Sequence, residues 1–170
     1  MNQSVRYTKR STFVIDFAAS PAVYTGAGKV IKGIGSDIIF SKSMRVAGVG
    51  STFVSGQLIF GGTSAPPNAG CRLWIFSKAV TVPADNQAFV IEYATIGKYL
   101  VGYLDFTTPI TASAGATVST YLLPATAPAL PVMLFNTDSS QNLYGVLTTL
   151  AAWTPTASSQ LTVDIRLIQN

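Results

Sequence analysis

The 170-residue sequence contains no histidine, one cysteine and only seven carboxylates. Histidine is the side chain that titrates near neutral pH, so the usual general acid or base of enzyme chemistry is missing. The carboxylates are Asp16, Asp37, Asp85, Glu92, Asp105, Asp138 and Asp164, and no two lie within six residues of each other. Metal centres draw on clustered His, Cys or acidic side chains, and no local stretch encodes such a cluster. Cys71 has no second cysteine to pair with, so no intrachain disulfide is expected. Its neighbours Arg72, Leu73 and Trp74 point to a strand, in which a free thiol behaves as a small buried hydrophobe. Charged residues are 11% of the chain, far below the ~25% typical of globular domains. Long apolar runs are also missing. The most apolar stretch, 125–135, is short and interrupted by Pro128 and Pro131, whereas a spanning helix needs about 20 apolar residues. The opening residues lack the apolar core of a leader peptide. No membrane partner and no cofactor are expected, and an adhesive or structural role is favoured over catalysis.

What is present is β-forming surface. Hydrophobic residues make up 48% of the chain, and Ser, Thr, Asn, Gln and Gly supply most of its polarity. Short apolar runs separated by Gly, Pro, Asn and Ser predict an all-β domain. The clearest strand is Leu161-Thr162-Val163-Asp164-Ile165-Arg166-Leu167. Its period of two places Leu161, Val163, Ile165 and Leu167 in the core and Thr162, Asp164 and Arg166 toward water. Further strands are predicted at 12–17, 44–49, 52–60, 72–76, 99–106, 117–123, 132–135 and 143–150. In 52–60, strict alternation groups Val54, Gly56, Leu58 and Phe60 against Phe53, Ser55, Gln57 and Ile59. A short helical turn is expected within 84–94, with Asp85 capping it. Pro124 and Pro128 place their loop at an edge. So many strands in one chain of this length predict an antiparallel two-sheet β-sandwich of jelly-roll type, ahead of a closed up-and-down barrel.

The net charge of +4 is concentrated at the start. Residues 1–45 hold seven Lys and Arg against Asp16 and Asp37, while the remainder holds four against five acids. Residues 1–10 are read as a basic N-terminal arm, with 11–170 forming the single domain. The arm residues Arg6, Tyr7, Lys9 and Arg10 are candidates for docking on a partner as an added strand or electrostatic latch. Nucleic acid is not the expected partner, since no helix-turn-helix, zinc-ligand or RNA-recognition signature accompanies the cluster.

A serine nucleophile without histidine needs lysine; Ser36 with Lys32, and Ser41-Lys42-Ser43, have no second catalytic element beside them. Asp85 and Glu92 are better explained as turn and surface groups than as a sugar-cleaving pair. Asp85-Asn86 and Asn136 with Asp138 are better explained as Asx-turns than as a calcium site. Trp74, Trp153 and tyrosines such as Tyr24, Tyr103 and Tyr144 fit a core or a subunit interface better than a sugar platform.

Several segments together resemble a known pattern. Arg72-Leu73-Trp74-Ile75-Phe76 leads to Thr81-Val82-Pro83-Ala84-Asp85-Asn86-Gln87-Ala88-Phe89 and then to the strand 98–104. The segments 24–31, 142–147 and 161–167 follow the same order. This arrangement resembles the capsid decoration, or cement, proteins of tailed phages, over roughly residues 24–168. The Asp85-Asn86-x-Ala88-Phe89 loop is its most specific part and is taken as structural. One position departs: the family's opening turn often carries Asp where this chain has Lys29. The resemblance implies a jelly-roll fold, no catalytic residues and a place on the virion's outer capsid surface. It also implies the major capsid protein as partner and a homotrimer, with a dimer as the alternative. A carbohydrate- or receptor-binding module of a phage fibre or head appendage is the competing function.

Overall fold

A computed structural model describes residues 7–43, 50–61, 70–112, 119–124, 132–135 and 140–169. In chain order the strands are β1 (Tyr7–Asp16), β2 (Ile38–Phe40), β3 (Gly50–Phe60), β4 (Cys71–Phe76), β5 (Leu100–Ala112), β6 (Ser119–Pro124), β7 (Val132–Phe135), β8 (Leu143–Thr149) and β9 (Gln160–Gln169). The expectation of an all-β antiparallel sandwich holds: every strand pair is antiparallel. Hydrogen bonding runs β1-β9-β3-β6-β5-β4-β8-β2, with β7 also paired to β3. The ribbon folds over through β5. Residues up to Phe106 pair with β4, and residues from Phe106 onward pair with β6, with a register shift between Phe106 and Thr108. The two halves therefore face each other, and the outermost strands β1 and β2 come into contact. Between them lies one core, with Ile15, Phe53, Leu58, Phe60, Val163 and Ile165 from the first layer. Phe40, Leu73, Ile75, Phe106, Leu143 and Leu147 meet them from the second.

The same geometry accounts for Pro109 within β5. Beyond Phe106, among the described residues, this strand pairs with β6 alone, so Pro109 sits where one strand edge is open, the setting in which proline is tolerated. Where strict alternation was expected in β3, the structure departs. A β-bulge between Phe53 and Ser55 inserts Val54 as an extra residue opposite β9. The side-chain phase flips there, so Phe53 joins Leu58 and Phe60 in the core while Val54 faces out. β1 starts earlier than hydrophobicity indicates, and the three-residue β2 was not foreseen. The strand expected at 44–49 lies outside the described residues. The helical turn expected within 84–94 is instead a turn at 93–96 running into one 3₁₀ turn, Gly97–Tyr99. Its backbone turns on Glu92, whose carbonyl accepts N–H bonds from Thr95, Ile96 and Gly97.

Cys71 is fully buried, and burial pushes its thiol pKa well up from the ordinary value of 9.0. Tyr24 is raised from 10.0, by burial first and then by its hydrogen bond to Asp85. Both groups stay protonated in the fold, while the unfolded chain sheds those protons above about pH 9 and 10. Unfolding therefore releases protons in that range, and stability falls as pH rises through it. For the thiol alone the slope is about 1.4 kcal/mol per pH unit. We expect Cys71→Ala to flatten the decline in melting temperature between pH 9 and 11. We also expect a thiol reagent to modify wild-type protein only on unfolding; fast labelling of the native state would contradict this.

Candidate interaction surface

The outward faces of β4 and β5 carry a compact group set by strand register. Arg72 lies opposite Asp105, and Trp74 opposite Tyr103. Cross-strand neighbours of this kind touch directly. Arg72 Nε donates to Asp105 Oδ1 at 2.6 Å, and its terminal nitrogen donates to Oδ2 at 2.8 Å, a bidentate ion pair. That hydrogen bonding raises the Arg72 pKa further above its ordinary value. The guanidinium also lies 4.2 Å from the Tyr103 ring centroid and 5.0 Å from that of Trp74. Trp74 and Tyr103 are tilted rings 5.4 Å apart, and Trp74 Nε1 donates to Thr148 Oγ1 at 3.1 Å. Arg72 and Trp74 are thus held by hydrogen bonds, while Tyr103, packed against both, remains 43% exposed.

The rest of this outer face is covered by the chain itself. The segment 77–99 lays Val80, Val82, Phe89 and Ile91 over Phe76 and Val146, forming a second apolar cluster. The apolar outward face of β4 is therefore filled from within. The covering segment presents Val90 and Tyr93 to solvent, the latter 81% exposed. Lys78 and Lys98 approach the Tyr99 ring at 5.4 and 5.1 Å from its centroid. This face thus brings together an exposed ring, an ordered guanidinium and two lysines.

What fastens the covering segment is the Asp85-Asn86-Gln87-Ala88-Phe89 loop. Asp85 does not cap a helical turn, as the sequence reading expected. Its Oδ1 accepts from Tyr24 O–H at 2.7 Å, Lys32 N–H at 2.8 Å and Gly33 N–H at 2.9 Å. Asn86 takes a positive φ of 62°, which asparagine tolerates better than most residues. Its backbone N–H donates to the Val30 carbonyl, and its side-chain amide donates to the Val23 carbonyl. Ala88 forms an isolated bridge with Lys29. Phe89 packs beside Trp74 and Phe76. The loop is thus a clasp joining segment 23–33 to segment 85–89.

The proposed arm fares differently. Arg6 lies outside the described residues. Tyr7, Lys9 and Arg10 are not part of a free arm: they belong to β1 and pair with Gln169, Leu167 and Arg166 of β9. Arg10 sends both Nε and a terminal nitrogen to Asp164 at 3.0 Å, and Gln57 adds a bond at 3.2 Å. The pairing raises the Arg10 pKa. Asp164 does point away from the core as expected, yet it is only 1% exposed beneath these partners. The strand pairing was missed because residues 7–11 carry no apolar alternation.

The remaining candidates do not converge. Lys32 Nζ pairs with Asp37 at 2.7 Å rather than facing Ser36. Ser43 Oγ donates to the Phe40 carbonyl. Trp153 is a core residue packed against Phe17, Tyr24 and Phe60. Asn136 and Asp138 lie outside the described residues. Among the described residues no group of three or more Cys, Asp or Glu side chains is placed to hold a metal ion. Comparison with protein-family models, with curated proteins and with solved structures returns no match.

Proposed function

We propose that this chain is a virion structural protein, a decoration or cement protein that binds the outer surface of a phage capsid and stabilises the shell. Its partner in this reading is the major capsid protein, and it acts as a homotrimer. The observation that carries the proposal is where the ionisable side chains go. Asp16, Asp37, Asp85, Asp105 and Asp164 each bind a donor of the same chain, linking strands and loops. Such wiring makes a rigid body with adhesive surface left over, which suits a module that works by covering joints between subunits. Each square ångström of apolar surface covered contributes about 25 cal/mol, multiplied over many copies. The strand order supports a jelly-roll assignment. With β7 set aside as an extra strand, β1-β9-β3-β6 faces β2-β8-β4-β5, so the chain crosses repeatedly between layers.

The test is to add purified protein to heads assembled without it and to image the particles. Density at regular outer-surface positions, with three chains per position and a raised disassembly temperature, is the expected result. Protein that stays in solution at saturating concentration would end the proposal. A receptor- or sugar-binding module is the second reading, favoured by the half-exposed Tyr103 beside Trp74. Glycan binding that disappears in Tyr103→Ala, with no capsid binding, would favour it instead.

A further inference from the structure

After β1 the chain turns through 17–22, and the segment 33–34 returns beside it. Between them lies a cavity of about 280 Å³. Phe17, Ala18, Pro21, Ala22 and Ile34 give it an apolar side, while Ser20, Gly33 and Asp85 make up the rest of the lining. The space far exceeds the ~10–15 Å³ needed for a single water. It falls just short of the ~300–1,000 Å³ of small-molecule sites. Its size suits one extended side chain.

Among the described residues, all three hydrogen bonds to Asp85 arrive at Oδ1 and none at Oδ2. Among the described residues no cation forms an ion pair with this carboxylate. Lys32, whose backbone N–H binds Asp85, sends its own ammonium to Asp37. Tyr24 and the two backbone donors also hold the carboxylate in one orientation, so a ligand need not order it. Gly33 keeps the site tight. It has φ +60°, and a Cβ there would meet the Asp16 carbonyl oxygen at 2.2 Å.

We propose that this pocket receives a lysine side chain of a partner protein, with the ammonium on Asp85 and the alkyl stem along Phe17, Ala22 and Ile34. Arginine is disfavoured because its fork is best matched by two carboxylate oxygens, and Oδ1 is already occupied by three donors. Lysine needs only a point acceptor, and its stem gains from apolar walls. The occupant belongs to a macromolecule because the surroundings are apolar as well. Ile34 is 70% exposed at the pocket, and Val23, next to Ala22, is 55% exposed. Together they offer contact area around the inserted side chain. The site does not depend on the capsid reading and holds for any lysine-bearing partner.

Amide NMR of the full chain, titrated with N-acetyl-lysine methylamide, tests this. Shifts are expected at Ala18, Ala22, Gly33 and Ile34, with a Kd of millimolar order. The uncharged norleucine analogue and the arginine analogue should bind about tenfold more weakly or worse. Asp85→Asn keeps an Oδ1 acceptor for the three donors and removes the charge. It should weaken lysine binding by a similar factor while the rest of the spectrum is unchanged. If that variant is disturbed, Ala22→Leu fills the pocket with Asp85 intact and should abolish the same shifts. Equal binding of norleucine, shifts elsewhere only, no shifts at about 50 mM ligand, or undiminished binding in Ala22→Leu would overturn the proposal.

Discussion

Asp85→Ala will destabilise the protein by about 3–5 kcal/mol, because it strands three donors at once. Tyr24 is at 0% exposure, so its hydroxyl could reach water only through the pocket beside Asp85, and the N–H groups of Lys32 and Gly33 lose the acceptor that shapes their turn. Each buried donor left unmade costs about 1–3 kcal/mol. Asp85→Asn retains a carbonyl oxygen and should lose only about 1 kcal/mol, the difference between charged and neutral acceptors. Tyr24→Phe removes one donor together with its need for a partner, so its cost should be about 1 kcal/mol too. Denaturant unfolding of the three variants checks the order. If Asp85→Ala is no worse than Asp85→Asn, the clasp does not hold the fold. A double-mutant cycle adds a second check: in a Tyr24→Phe background the cost of Asp85→Ala should shrink, since the hydroxyl is already gone.

The clasp also marks the limit of what the sequence makes legible. Strands with one buried face announce themselves by period two, and β9 falls where the alternation puts it, while β4 and β8 fall on short apolar runs. The pairing partner of a strand is not local information. Residues 7–11 form half of β1 with no apolar pattern; Arg10 is held there by Asp164, 154 positions away. β2 is three residues long, too short for any period to show. The bulge at Val54 reverses a phase that strict alternation assigns otherwise, and nothing in Phe53-Val54-Ser55 signals it. Asp85 is the same case at the level of chemistry. Its loop stands out by composition, but its partners lie 52 to 61 residues upstream, so a local cap was the only role the chain order offered. The Arg72 group was half legible. The strand and its outward arginine can be read directly, whereas Asp105 and Tyr103 join only once the register of β5 against β4 is known.

Trp153→Ala should give the other large effect and separate the two tryptophans by role. Trp153 stacks on Tyr24 with centroids 5.5 Å apart and 12° between planes, and meets Phe17 and Phe60 edge-on at 5.5 and 5.7 Å. Truncating a buried tryptophan costs about 3–5 kcal/mol, from lost burial and the cavity left behind. For a domain of this size that lowers the melting temperature by roughly 6–20 °C. Two backbone bonds between Tyr24 and Trp153, each 2.8 Å, do not involve the side chain and should keep the local path of the chain. The loss is therefore one of packing, transmitted to Asp85 through Tyr24, whose ring lies against Trp153 and whose hydroxyl reaches the clasp. Tyr103→Ala is the contrasting case: its ring is half outside, so stability should change by less than about 1 kcal/mol. Fluorescence gives an independent reading. With Trp153 removed, emission comes from Trp74 alone, and its partly exposed environment should shift the spectrum to the red. A fully stable Trp153→Ala with unshifted emission would mean that Trp153 stands at the surface, and the aromatic platform reading would then belong to it rather than to Tyr103.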